Sequence, residues 1–261
     1  EISGQEVFTS TSIGIAVSTS AYRSSEEMLR DADAAMYHAK SQGRRNYAVF
    51  DESLHTEALS ALELENELRR ALQSTEIHPH YQPLIELATG RVVGFEALAR
   101  WQHPQRGLVS PAHFVPVAED TGLITELDWH IFEQACEQLA LWHQQYPDSR
   151  DLTINVNFAS AHFRHFEFPD KVLATLKRHC LPTRCLNIEM TESAMIGNFQ
   201  TVKDVFATLR AAGVRLSLDD FGTGYSSLSY LHRFPVDHLK IEKSFVHKMS
   251  DNRESLAIIQ T

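Results

Sequence analysis

From about residue 77 the sequence alternates short β-branched runs with amphipathic helical stretches, and few architectures accept a chain patterned in this way. The strand-like runs are HPHYQPLIEL, VVGFEALARW, LTINVNF, CLNIEM, VRLSLDD and VDHLKI. Between them lie helical stretches such as ITELDWHIFEQACEQLALWHQQY, in which Leu127, Ile131, Ala135 and Leu139 fall on one face. Repeated alternation predicts a parallel sheet, because parallel neighbours need crossover connections and these are usually helices. The first two runs are separated only by a turn at Ala88, Thr89 and Gly90, short enough for an antiparallel pair. Six strands over roughly 185 residues fall short of the eight strands and about 250 residues of a closed β/α barrel. The expected fold is therefore α/β, an incomplete TIM-like (β/α) barrel, with the chain stopping at IIQT in what reads as the start of a helix.

The polar residues of these runs are not scattered. Glu96, Asn155, Glu189, Asp219 with Asp220, and Lys240 come from five different runs, each at or near the C-terminal half. In a β/α barrel the βα loops converge at that end, and active sites are built there. Carboxylates gathered on one face repel one another unless cations lie between them, and hard oxygen ligands select Mg²⁺ or Mn²⁺ over zinc. Taken singly, each acid is more commonly a helix cap or a surface charge. Asp219 and Asp220 also fit a plain strand–turn–helix junction, since FGTGYSSL follows, with Gly222 and Gly224 for a tight loop and Ser226 for a cap. A lone lysine such as Lys240 more often snorkels to the surface, whereas a partly buried amine among carboxylates can hold or help activate a water. His162 and His165 read as solvated rather than metal-binding. Trp101, Trp129 and Trp142 read as core or interface residues rather than base-stacking platforms.

Residues 1–50 have a different organisation. The strand-like run VFTSTSIGIAVS is followed by the helical stretch SSEEMLRDADAAMYHAKSQG and by the strand-like YAVF. Ser24 and Glu27 form a capping-box pair, Met28, Ala32, Ala35, Met36 and Ala39 make one apolar face, and Gly43 is a stop signal. Strand, helix and strand are too little for a stable domain, so the expectation is the C-terminal fragment of a larger one. Residues 51–75 read as a Glu-rich connector helix with a narrow stripe of Leu64, Leu68, Ala71 and Leu72, and residues 76–261 as the barrel.

Composition narrows the partners. The chain has 43% hydrophobic and 22% charged residues and a net charge of −10, which suits a globular protein and opposes binding to nucleic acid polymers. Five Lys and Arg against six Asp and Glu leave −1 on residues 1–50, so most of the acidity belongs to the rest, where a phosphate compound would need divalent cations beside it. Cys136, Cys180 and Cys185 form no CxxC pair and no disulfide framework. No apolar run has the roughly 20 residues of a membrane helix, so no membrane contact is expected in this segment and a cytoplasmic location fits best.

The string EALARW (Glu96 to Trp101) resembles the signature of the EAL-domain phosphodiesterases. It is joined in order by YQP (Tyr81 to Pro83), INVN (Ile154 to Asn157), IEMTES (Ile188 to Ser193), DDFGTGYSSL (Asp219 to Leu228) and LKIEKSFV (Leu239 to Val246). Each string is weak alone; six in the family's order and spacing are specific. The resemblance implies a TIM-like barrel that hydrolyses cyclic di-GMP to linear pGpG with Mg²⁺ or Mn²⁺ in a two-metal site. Carried over by position, Glu96, Asn155, Glu189 and Asp219 are metal ligands, with Asp220 shared at the second metal. Lys240 orients the attacking water, Glu192 steadies the DDFGTGYSSL loop, and Gln82, Leu98 and Arg100 contact the nucleotide. The same resemblance is compatible with a homodimer formed through the barrel and with a parent protein tethered to a membrane by upstream segments.

TSIGIA (Thr11 to Ala16), ADAAMYHAK (Ala32 to Lys40) and GRRNY (Gly43 to Tyr47) similarly resemble the end of a GGDEF diguanylate cyclase domain, with Lys40 and Arg44 at phosphate-touching positions. The GGDEF signature itself is not among these residues, and cyclase activity is not expected of them. Two departures from the EAL pattern are Asn157 where the family usually has Ser, and Glu242 where it usually has Asp. The family's last two strands, with a further Glu ligand and a Gln, would lie beyond Thr261, so the expectation is a barrel cut before them. Two alternatives stand beside the phosphodiesterase: a non-catalytic cyclic di-GMP receptor, and an unrelated metal-dependent barrel hydrolase.

Overall fold

The computed structural model describes residues 11–18, 22–41, 46–146, 149–191, 199–221 and 236–248, with the backbone alone at 40, 41, 52–61, 199, 220, 221 and 248. The chain divides into two compact units, one of Glu1–Arg70 with Ala112–Thr121 and one of Ala71–Pro111 with Gly122–Thr261.

In the first unit, β1 (Ile13–Ile15) and β2 (Tyr47–Val49) pair in parallel, and α1 (Ser25–Ser41) joins them. The helix starts where the capping pair places it. Glu27 N–H donates to Ser24 Oγ at 3.2 Å, but the Glu27 carboxylate accepts from the N–H of Arg23 at 2.9 Å, one residue outside the usual reciprocal bond. Ala35 and Ala39 of the expected apolar face are fully buried. Gly14 lets the strand lie directly on this helix: a Cβ there would sit 1.9 Å from the carbonyl oxygen of Ala32. Next comes α2 (Glu52–Ala71), whose stripe is the buried one, with Leu68, Ala71 and Leu72 inside. The helix α3 (Pro111–Thr121) buries Phe114, Val117 and Ala118.

The second unit holds the sheet. Its strands are β3 (Ile77–Ile85), β4 (Val92–His103), β5 (Gly107–Val109), β6 (Thr153–Asn157), β7 (Leu186–Thr191), β8 (Arg215–Phe221) and β9 (His238–Ile241). The order is β3-β4-β6-β7-β8-β9, with β5 paired to β4 off this path. β3 and β4 are antiparallel, as the short turn between them predicts, and β4, β6, β7, β8 and β9 are successive parallel neighbours. The crossovers are α4 (Ile124–Gln145), α5 (Phe168–Arg178) and α6 (Phe199–Ala211), and α7 (Lys243–Lys248) follows the last strand. All six expected strands are present. The seventh, β5, has only three residues, too short for periodicity to reveal; it forms because His103 Nδ1 accepts the N–H groups of Gln105 and Arg106 and closes a tight turn.

β3 carries two prolines, which suits an edge strand. Gln102 N–H donates to Glu76 C=O, and the antiparallel alternation that follows turns the nitrogens of Pro79 and Pro83 away from β4. On that outer side the carbonyl of Ile77 accepts from Gln134 Nε2 at 3.3 Å and lies 3.0 Å from His130 Nε2, so α4 meets one outward carbonyl of this strand. Leu127, Ile131, Ala135 and Leu139 of α4 are buried, as their spacing predicts. Tyr81 and Phe95 meet Trp142 at ring separations of 5.0 and 4.7 Å, so the odd-numbered residues of β3 and β4 face this helix.

The reading of His162 is corrected. It is 5% exposed, its Nε2 lies 3.1 Å from Asp128 Oδ2, and its ring touches Trp129, Phe158 and Phe168. A 3₁₀ turn at His162–Arg164 rolls the side chain inward, where a buried carboxylate receives it; His165 is exposed. Trp101 is a core residue, fully buried, and Trp129 is half-buried among Phe132, Phe158 and Phe168.

Candidate metal centre

Parallel register decides which polar side chains meet. Glu96 pairs with Asn155 across β4 and β6, Asn157 with Glu189 across β6 and β7, and Thr191 with Asp219 across β7 and β8. Successive residues of a strand point to opposite faces, so Glu96, Asn155, Asn157, Glu189, Asp219 and Lys240 all lie on the face away from the helices. One oxygen each from Glu96, Glu189 and Asp219 lie within 4.8 Å of one another. Lys240 Nζ sits among them, 2.6 Å from Glu189 Oε2, 3.1 Å from Glu96 Oε1 and 3.2 Å from Asp219 Oδ2.

Asparagines fill the remaining positions. Asn155 Nδ2 donates to Glu189 Oε1 at 2.6 Å, and Asn157 Nδ2 donates to Glu96 Oε1 at 3.1 Å. Two residues before Glu189 and Asp219 along their strands, Asn187 and Ser217 bond reciprocally, at 2.7 Å from Nδ2 to Oγ and 2.9 Å from Oγ to Oδ1. The sequence reading passed over Asn187, Ser217 and the bond of Asn157. The signal was there: in NVN, NIE and SLD each second residue is polar, a period-2 pattern turned toward one face.

Electrostatics follow from burial. Glu189 is 0% exposed, and desolvation pushes its pKa up to about 7, with the neighbouring Glu96 charge adding to the rise while Lys240 and Asn155 oppose it. Burial alone would lower the Lys240 pKa; the Glu189, Glu96 and Asp219 carboxylates outweigh it and hold the ammonium above its ordinary value. The amine is thus a fixed positive charge rather than a base. A place that draws one cation against three carboxylates, with an all-oxygen donor set, fits a hard divalent ion. Thiol chemistry is not prepared here, since burial raises Cys136 well above its usual range and Cys185 to about 11.

Gln82 lies opposite Glu96 in the β3/β4 register, and Leu98 and Arg100 continue along the same face of β4. The side chain of Asp220 and the whole of Glu192 lie outside the described residues, as do Gly222 to Leu228 of the DDFGTGYSSL run, the Lys40 side chain, Gly43 and Arg44. Glu242, the second departure, accepts from the backbone N–H of Ser244 at 2.8 Å and from its hydroxyl, and so starts α7.

The profile of the EAL domain family matches residues 65–261, and that of the diguanylate cyclase GGDEF domain matches residues 1–46. Among curated proteins, the chain is 40% identical over 259 residues to the bifunctional diguanylate cyclase/cyclic di-GMP phosphodiesterase MucR of Pseudomonas aeruginosa. That alignment covers 99% of this chain and 38% of MucR, so the chain spans about two-fifths of that relative. Among solved structures, a PaMucR phosphodiesterase complex with c-di-GMP superposes with a TM-score of 0.69 at 39% identity, over 76% of this chain and 79% of that one. The EAL enzyme Bd1971, bound to cAMP and cyclic di-GMP, gives a TM-score of 0.72 at 32% identity, over 78% and 55% of the two chains. These neighbours share the mixed α/β architecture of TIM-like barrels.

Proposed function

We propose, from the premise that the chain belongs to the EAL-domain family, that it carries the site of a cyclic di-GMP phosphodiesterase, which hydrolyses the cyclic dinucleotide to linear pGpG. The observation that carries this reading is the convergence of Glu96, Glu189 and Asp219, from three strands, on the Lys240 ammonium. Glu96, Asn155, Glu189 and Asp219 are the proposed ligands of Mg²⁺ or Mn²⁺, with Asp220 shared at a second ion. When bound, such ions lower the pKa of a coordinated water and neutralise charge on the phosphate under attack.

The chain's own residues prepare the rest. Lys240 is a fixed ammonium whose N–H groups face Glu189, Glu96 and Asp219, and an N–H given up by one of these carboxylates can hold an attacking water. Asn155 and Asn157 keep the Glu189 and Glu96 carboxylates in one orientation, so little reorganisation is needed as charge develops. Gln82, Leu98 and Arg100 are the proposed nucleotide contacts, and Glu192 the residue that steadies the loop after β8. With the surface as acidic as a charge of −10 implies, a dianionic ligand depends on these local donors and on the cations.

The test is incubation with cyclic di-GMP and Mn²⁺, followed by chromatography. Wild type should yield pGpG, and D219N should lose at least about a hundredfold in rate while keeping its far-UV dichroism. Tight binding without any pGpG would assign the chain to the receptors instead, and neither binding nor hydrolysis would overturn the proposal.

A further inference from the structure

The face of β3 and β4 that carries Glu96 does not end at Arg100. Directly opposite Leu98 stands His80, and opposite Arg100 stands His78, so the two histidines continue the row begun by Gln82. The odd-numbered neighbours Ile77, Pro79 and Trp101 are buried, whereas His80 is exposed and His78 half-buried. The two imidazoles lie against each other, with ring centroids 5.3 Å apart and planes tilted by 43°; neither has a hydrogen-bond partner among the described residues. Beside them Arg100 spends one guanidinium nitrogen on its neighbouring carbonyl at Ala99, 2.8 Å away.

We propose that His78 and His80, with Arg100, form the binding surface for the nucleotide of cyclic di-GMP that is not being cut, a role that rests on the function proposed above. Arg100 stands four residues beyond Glu96 along the strand, about 13 Å of rise. That span leads away from the metal centre and suits a ligand of two nucleotides rather than one. An imidazole supplies a donor and an acceptor for a guanine edge or phosphate oxygen, and its flat ring stacks on a base. The guanidinium adds a charge and a second flat surface. A pair of such rings with no hydrogen-bond partner among the described residues, in line with the site and on its own face of the sheet, selects for the dinucleotide over a mononucleotide.

The experiment compares wild type with H78A/H80A and with H80A alone, using the whole chain. Equilibrium dialysis with cyclic di-GMP in EDTA reads binding without turnover, and kinetics in Mn²⁺ read KM and kcat. The expected result is a rise in Kd and KM of at least about fivefold for H78A/H80A, with kcat within about twofold and GMP binding unaltered. H78Q/H80N, which keeps hydrogen-bonding groups, should recover part of the loss. Equal Kd and KM in wild type and H78A/H80A would overturn the proposal while leaving the phosphodiesterase intact. A wild type that neither binds nor hydrolyses cyclic di-GMP would remove the parent reading, and this one with it.

Discussion

Asn157 donates to the same oxygen of Glu96 that Lys240 approaches, so the residue that departs from the family's usual Ser holds a carboxylate of the centre in place. With alanine there, Glu96 has one donor fewer. A hydrogen bond is worth about 0.5–1.5 kcal/mol, so N157A should weaken Mn²⁺ binding about threefold to tenfold in calorimetry, and N157S should regain part of it. Unchanged affinity in both would show that the bond does not matter to the centre. Asp128 illustrates the opposite cost. Burial raises its pKa above the usual carboxylate range, although His162 and the N–H of Ala159 pull it down. A raised folded pKa means that the native chain binds this proton more tightly than the unfolded one. The group's contribution to stability is therefore complete below the ordinary Asp value and is lost as pH rises through the folded one. In urea, the wild-type midpoint should fall relative to D128N from about pH 4 upward; parallel curves for the two proteins would refute the assignment.

At the scale of elements, most of what the periodicity promises is present. α4 buries the face that its spacing defines, and Leu139 is fully enclosed, so L139A should cost about 2–5 kcal/mol in denaturant unfolding. β1 and α1 depend on the missing side chain of Gly14 rather than on any contact it makes. G14V would drive a branched side chain into the backbone of Ala32 and Met36. Amide exchange should then accelerate in β1 and α1 while residues 71–111 keep their protection, at a cost of about 1–3 kcal/mol or more. Equal protection of β1 and α1 in both proteins would mean that the strand can move off the helix freely. β5 and the inward turn of His162 escaped the sequence for the same reason: each depends on a local turn of three or four residues, below the length at which a hydrophobic period can be counted.

At the scale of the molecule, the carboxylates that gather where β4, β7, β8 and β9 meet need a counter-ion. Lys240 is that ion for Glu96, Glu189 and Asp219. Mn²⁺ should stabilise the unit of residues 71–111 and 122–261 by mass action, about 2.7 kcal/mol at a hundred times its Kd, and EDTA should reverse it. Calorimetric scans would show this as a rise in the transition of that unit, with added protection at β4, β7 and β8. No rise at millimolar Mn²⁺ would sink the metal assignment. K240M removes the internal cation, so its stability should fall at neutral pH and depend more steeply on pH than the wild type's, as the carboxylates lose their shared partner.

The strand and helix order, the antiparallel opening pair, the buried stripe of Leu68, Ala71 and Leu72 and the gathering of Glu96, Asn155, Glu189, Asp219 and Lys240 on one face were legible in the chain, because periodicity and motif spacing are local properties. Which oxygen of which carboxylate meets Lys240, that Asn157 braces Glu96, that Asn187 and Ser217 pair beneath them, and that His78 and His80 line up with Arg100 depended on register between strand residues as much as 61 positions apart. Register is set by how buried faces pack, and a single-residue slip turns every side chain to the other face. Only the folded sheet could decide it.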